Sequence, residues 1–387
     1  MKIGIISNFV YPYKVDATGN IVYLIAKNLV NNNHQVMVFS KYIGISKTNE
    51  SFFSGIEYHG IRNLSSATFS EYLYLRKNKR FFYRFALDFA YLTTYFLRKI
   101  KIIKFNEHKK FVQLIAENAK NDCFDLLVIC CGNFNLIEII NKNMLDYKKV
   151  ILISTDDWSV FTENIKDFEQ KISLLFDNIF VFQPIFNNLS VDNNKFNIMS
   201  PIVELNVTKT KFNNFSSRPI GGYFGSIYGA RDSQKFTDII QSLSKYFEFI
   251  FYTTNIGKIK NVKHKNVKIH NYVYGDELDN AYANVDFLMG LDNFGSYSNF
   301  IPSKIYAYMA TKKPIILFYY NDFSPALFIL SKYDLVLFVN LNRPIDVDSI
   351  ISFVNETYHK SSLTNLHELY PDSSPNFLAS QIIKAID

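Results

Sequence analysis

The chain has 387 residues, 48 % of them apolar and 20 % charged, with 14 glycines and ten prolines. That composition excludes a disordered or collagen-like chain, and the length exceeds one ordinary core, so two folded domains are expected. The net charge of +7 is uneven: residues 71–115 hold 11 Lys and Arg against three acidic residues, which is +8.

The N-terminus opens on KIGIIS (2–7), an apolar run read as a core strand, with no basic-then-apolar leader before it. The loop NFVYPYKVDATG leads to a helix near 19–32, and HQVMVFS (34–40) is the next strand. The basic segment follows as RKNKRFFYRFALDFAYLTTYFLRKIKIIK, with aromatic and cationic residues interleaved at helical spacing. Three readings fit it: a solvated helix face, a nucleic-acid patch, or a helix lying on an anionic membrane surface. No nucleic-acid-binding motif accompanies the charge, so nucleic acid is not expected as a partner. Its apolar stretch FALDFAYLTTYF (85–96) carries Asp88 and two threonines and is shorter than the roughly 18 residues a spanning helix needs.

Strands then read FDLLVICC (124–131), KVILIS (149–154) and DNIFVFQP (177–184). Cys123, Cys130 and Cys131, the three cysteines, show no CxxC spacing, which speaks against metal or disulfide roles and fits a reducing cytoplasm. Residues 201–218, PIVELNVTKTKFNNFSSR, are polar and aperiodic and read as a linker. Beyond it the alternation restarts, with strands at 220–226, 247–253, 267–273, 285–291, 314–320 and 335–341 and helical segments between most of them. The pattern predicts the α/β class with two doubly wound, Rossmann-like domains over 1–200 and 219–370. A C-terminal helix within 371–387 would pack back on the first.

Open parallel sheets bind ligands outside the carboxyl ends of their strands. GSIYGAR brings Gly225, Ser226 and Arg231 to that edge, VDFLMGL ends at Asp292, and IPSK places Ser303 and Lys304 where a helix begins. A forked donor, a point charge and free N–H groups together suit a diphosphate. No metal-ligand cluster stands out.

YFGSIYGAR, YVYGDELDNAYANVDFLMGLD and IPSKIYAYMATKKPII resemble the nucleotide-sugar half of GT-B-fold glycosyltransferases of the family-4 type. MKIGIIS, TGN and NNHQVMVFS are similar to that family's opening strand, glycine loop and GHxV strand, and VFQPIFNNL with FNIMSPIVELN to its end-of-domain pattern. The resemblance covers most of the chain except roughly residues 45–120. It implies two Rossmann-like domains facing across a cleft, and a sugar moved from a nucleotide diphosphate sugar, a UDP-sugar by expectation, without metal or other cofactor. The implied acceptor is a glycan or lipid-linked glycan in capsular, exopolysaccharide or O-antigen-type synthesis.

By position, Arg231 and Lys304 would neutralise the leaving diphosphate, with Ser303 assisting and Gly225, Ser226 and Asp292 around it. Gly19 and Asn20 would let a first-domain loop approach the donor, and Tyr272 and Val273 would lie near the nucleobase. The chain departs from the family where two glutamates are expected: those positions are Asn299, kept as a donor contact, and Ala307. Lys312 replaces a glycine, and no histidine lies between His108 and His264. STDDWSVF stands where the family histidine would be. There Asp156 or Asp157 could act as general base on an acceptor hydroxyl, and Trp158 could stack on a sugar, with Asn133 also on the acceptor side. The competing reading is a helix cap with Trp158 in the core. A lipid-linked acceptor would rationalise the basic segment: a cytoplasmic protein, peripheral at the inner face of the plasma membrane, drawn to anionic lipid. A catalytically silent GT-B protein partnering another transferase is the alternative that Asn299 and Ala307 keep open, and a nucleotide-sugar epimerase is a second.

Overall fold

The structure is a computed structural model. It describes residues 1–8, 10, 17–41, 55–60, 107–119, 123–131, 136–137, 145–155, 158, 162–191, 194–204, 218–227, 231–253, 255–273, 275–292 and 303–385. The chain divides into two compact units, one of residues 1–199 and 375–387, the other of residues 200–374.

The first unit contains β1 (Lys2–Ser7), β2 (Gln35–Ser40), β3 (Ile56–Gly60), β4 (Cys123–Cys131), β5 (Asp146–Ser154), β6 (Asn178–Phe182) and β7 (Phe196–Met199). They form one sheet in the order β3-β2-β1-β4-β5-β6-β7, parallel at every pairing. β1 and β2 are buried along all but their first residue, which is why they read as continuous Ile, Val, Met and Phe runs. Helix α1 (Ala17–Asn31) turns Ile21, Ile25 and Leu29 inward at four-residue spacing. It stops where Asn33 takes a left-handed φ of 62° and the His34 N–H closes onto the Leu29 carbonyl at 3.1 Å.

Two strands were not expected from sequence, and both are sheet edges. β3 is half-exposed over most of its length and β7 has four residues, so neither writes a continuous apolar run. The strand expected over 177–184 ends at Phe182, because Pro184 enters the first turn of α4 (Gln183–Asn187), where its missing N–H leaves no bond unmade. Before these come α2 (Glu107–Asn118) and α3 (Ile165–Leu175). Most of the basic segment 71–115, over 71–106, lies outside the described residues, as do linker residues 205–217.

The second unit contains β8 (Ile220–Phe224), β9 (Glu248–Thr253), β10 (Val267–Asn271), β11 (Phe287–Leu291), β12 (Ile315–Tyr319) and β13 (Val336–Asn340). Their order is β10-β9-β8-β11-β12-β13, again parallel throughout. The helices are α5 (Gln234–Leu243), α6 (Asp276–Ala283), α7 (Lys304–Ala310), α8 (Pro325–Leu330), α9 (Val347–Thr357) and α10 (Leu366–Leu369). Aromatic rings fill the core: Phe236 of α5 meets Phe318 edge-on at 5.1 Å, and Phe247 meets Phe287 at 5.7 Å. Gly221 makes room for that packing, since a Cβ there would lie 2.6 Å from the Phe287 ring. Buried Lys313 caps α6, its Nζ donating to the carbonyls of Tyr282 (2.8 Å), Ala283 (3.0 Å) and Val285. Desolvation lowers its pKa to about 8.

A last helix, α11 (Pro375–Lys384), belongs to the first unit, where it packs on α1 and buries Leu378, Ala379 and Ile382. In each unit the strand order reverses at one place, between β1 and β4 and between β8 and β11. These are the topological switch points at which doubly wound folds hold ligands.

Candidate active site

At the second unit's switch point, β8 runs from Phe224 into Gly225, and β11 runs into Asp292. Gly225 has φ +155°, and its N–H donates to the Tyr252 carbonyl at 3.0 Å. A Cβ on Gly225 would meet Lys304 Nζ at 2.5 Å, so the glycine is what lets the ammonium lie against this backbone. Asp292 is buried, and its N–H donates to the Phe318 carbonyl at 2.9 Å.

Lys304 is the first residue of α7, and Tyr308 follows it by one turn on the same face. The Tyr308 hydroxyl accepts the Phe224 N–H at 3.1 Å and lies 3.4 Å from the Phe224 carbonyl, to which it can donate. The Phe224 ring in turn packs on Tyr282 at 4.3 Å and stacks on Tyr252 at 5.1 Å. One short helix therefore fixes both the end of β8 and the cation beside it.

Lys304 Nζ sits 4.9 Å over the Tyr272 ring, a cation–π contact at the end of β10. Burial first, and the nearby Arg231 charge second, lower the Lys304 pKa from 10.5 to about 7. Among the described residues no carboxylate comes within ion-pair distance of Lys304 Nζ. Two cations thus repel one another in a partly dry site, an arrangement that an arriving polyanion stabilises. Arg231 is held by its neighbours in sequence: the Ser233 N–H donates to the Arg231 carbonyl at 3.0 Å, and Asp232 Oδ1 accepts the Lys258 N–H at 2.7 Å. The Ser226 carbonyl accepts from the Tyr223 hydroxyl at 3.3 Å.

The helix start itself supplies less than the sequence suggested. α7 has seven residues, and Ser303 makes no side-chain cap bond, so its dipole is short and the charge of the site resides in Lys304 and Arg231. Val273 is half-buried beside Tyr272. A depression of about 560 Å³ opens at the carboxyl ends of β9 and β10, lined by Thr253, Asn255, Ile256, Ile269, His270 and Asn271. It lies along the strand that leads into Tyr272.

In the first unit, Gly19 is buried and Asn20 half-buried in the opening turn of α1. Thr18 Oγ1 lies 3.1 Å from Thr155 Oγ1, which ties the start of α1 to the end of β5. Asn133, Asp156, Asp157 and Asn299 lie outside the described residues. Trp158 is not a sugar platform in this structure. It is 2 % exposed, its indole N–H donates to Ser154 Oγ at 2.8 Å, and its ring packs against Phe168 and Phe196. An indole this deeply buried offers no face to a ligand, so the core reading of Trp158 holds.

The sequence reading missed Tyr308 and the Thr18–Thr155 contact. Its i+4 spacing from Lys304 was the one signal for Tyr308. Among the described residues no group of three or more His, Cys, Asp or Glu could hold a metal ion, and no helix is long and apolar enough to cross a membrane.

No family model matches the sequence, and no curated protein matches it significantly. Solved structures do match the fold along the whole chain. AviGT4, a glycosyltransferase involved in avilamycin A biosynthesis, superposes with a TM-score of 0.58 at 6 % identity, over 100 % of this chain and 96 % of that one. Anabaena HepE in complex with UDP and glucose gives 0.57 at 12 % identity, over 100 % and 97 %. WaaG, a glycosyltransferase involved in lipopolysaccharide biosynthesis, gives 0.54 at 8 % identity, over 100 % and 98 %. With two parallel sheets of Rossmann order and this likeness along its length, the chain has the GT-B fold of two Rossmann-like domains.

Proposed function

We propose that the protein is a glycosyltransferase that takes a sugar from a nucleotide diphosphate sugar held by its second unit. The observation that carries this reading is the pair Lys304 and Arg231 at the β8/β11 switch point, with Gly225 open beneath the ammonium. A diphosphate brings to these two cations the negative charge that suits them. As the glycosidic bond breaks, negative charge grows on the leaving diphosphate, and Arg231 and Lys304 stabilise that charge as it develops. They perform the neutralisation that a metal performs elsewhere, so transfer runs without one. The nucleoside extends past Tyr272 and Val273 toward the depression at the ends of β9 and β10. The likeness to HepE, solved with UDP and glucose, makes a UDP-sugar the first donor to test.

On the acceptor side, Asp156 or Asp157, directly after β5, acts as general base on the attacking hydroxyl. The likeness to WaaG favours a glycan or lipid-linked glycan acceptor in bacterial surface polysaccharide synthesis, with the basic segment 71–115 at the inner face of the membrane. In this reading, Asp156→Asn or Asp157→Asn lowers turnover at least about 100-fold while nucleotide binding persists. Full turnover in both variants would move the base elsewhere.

The deciding experiment is a thermal-shift titration with UDP, GDP, ADP and dTDP, using Lys304→Ala and Arg231→Ala as controls. Saturation at about 100 times Kd adds roughly 2.7 kcal/mol to the stability of the state that binds. A shift with one nucleotide, absent in both variants, supports the donor site and names its base. Lack of a shift with every nucleotide would leave a silent GT-B protein as the better reading.

A further inference from the structure

The second unit carries a concentration of positive charge at the end of its sheet away from the candidate active site. Arg218 precedes β8, Lys245 and Tyr246 lie in the turn before β9, and Lys263 and Lys265 lie in the turn before β10. Hydrogen bonds hold these turns together. Arg218 Nη1 donates to the Lys245 carbonyl at 3.1 Å, Asn266 Nδ2 to the Ser244 carbonyl at 2.8 Å, and the Glu248 N–H to the Pro219 carbonyl at 3.0 Å. Lys268, one residue into β10, completes the group. Five cations therefore share the amino-terminal ends of three adjacent strands.

Among the described residues little opposes them. Glu248 is already engaged by Lys268 at 3.3 Å, and Asp286 is buried and accepts the Ile220 N–H. Residues 249–275 contain five lysines and no acidic residue. Lys245, Lys263, Lys265 and Lys268 are exposed. A six-residue strand such as β9 separates this end from the carboxyl edge by about 20 Å, so these side chains do not contribute to binding at Lys304.

We propose that this end of the second unit docks on an anionic lipid surface. Lysine is a flexible point charge without the planar fork that selects individual phosphates, which suits a diffuse field of headgroups better than a defined anion. The one arginine spends a guanidinium N–H on the Lys245 carbonyl. Tyr246, 49 % exposed among the lysines, adds an amphipathic ring of the kind that settles at headgroup depth. This docking is independent of the transfer reaction and of the basic segment 71–115.

The test is co-sedimentation of the full chain with phosphatidylcholine vesicles, with and without phosphatidylglycerol. The variant combines Lys245→Gln, Lys263→Gln and Lys265→Gln, all exposed, so its melting temperature and nucleotide response should match the parent's. The parent should bind only the anionic vesicles and release as salt rises. The triple variant should partition about 100-fold more weakly, at roughly fivefold per lysine. Equal binding of parent and variant would overturn the proposal, as would a parent that ignores anionic vesicles. Capture of the parent by soluble dextran sulfate but not by vesicles would also overturn it, in favour of a polyanionic polymer.

Discussion

Lys304 is a lysine whose charge is held back until an anion arrives. With a pKa of about 7, only about a tenth of it is charged at pH 8. A diphosphate binds the charged form and raises that pKa, so binding above pH 7 takes up a proton. Affinity for a nucleoside diphosphate should then be full below about pH 7 and fall by up to roughly tenfold per pH unit as the pH rises beyond it. Calorimetry in buffers of different ionisation enthalpy reads the uptake directly. Lys304→Met should weaken binding and flatten the slope, and a parent whose affinity is constant from neutral to alkaline pH would remove the lysine from the site. The same shift acts in the opposite sense on the stability of the fold. Because the folded pKa lies below the unfolded value of 10.5, the unfolded chain holds more protons between pH 7 and 10.5. Stability from this group therefore rises with pH through that window.

Single elements place the groups that matter, and their contacts separate function from packing. α7 carries Lys304 and Tyr308 one turn apart, and Tyr308 reaches a backbone 84 residues away in sequence. The segment after β5 carries Trp158, whose identity alone could not separate a sugar platform from a core anchor. Its partners Phe168, in α3, and Phe196, in β7, decide for the core. Trp158→Ala should cost about 3–5 kcal/mol in urea unfolding, as expected for an emptied aromatic site. Trp158→Phe should keep most of the stability and leave transfer unchanged. Since Trp158 is the single tryptophan, its emission should be blue-shifted and indifferent to acceptor. Quenching by acceptor, or loss of transfer in a stable Trp158→Phe protein, would return Trp158 to the acceptor side.

At the scale of the whole molecule, the first unit is discontinuous and is completed by α11 from the far end of the chain. Ending the chain after Ser374 removes Leu378, Ala379 and Ile382 from the layer against α1. Differential scanning calorimetry should show the first unit melting earlier, while UDP still stabilises the second unit in which Lys304 and Arg231 reside. A truncated protein that keeps the first transition unchanged would mean that α11 contributes no stability there. Loss of the nucleotide response would mean that the donor site needs more than the second unit.

The alternation of strands and helices is legible in the sequence, because strands buried on both faces must be nearly continuous in apolar residues. KIGIIS and PIILFYY are legible for that reason, whereas β3 and β7, at the edges, have no such requirement and escaped notice. The sequence also determined which charged residues stand at strand ends, since Gly225, Arg231, Asp292 and Lys304 follow or flank apolar runs. Tertiary structure alone decided that Lys304 lies against Gly225 and over Tyr272, that Tyr308 anchors β8, and that Trp158 is enclosed. Periodicity records which face of an element is dry, but contacts between residues far apart in the chain follow from the order in which strands pair.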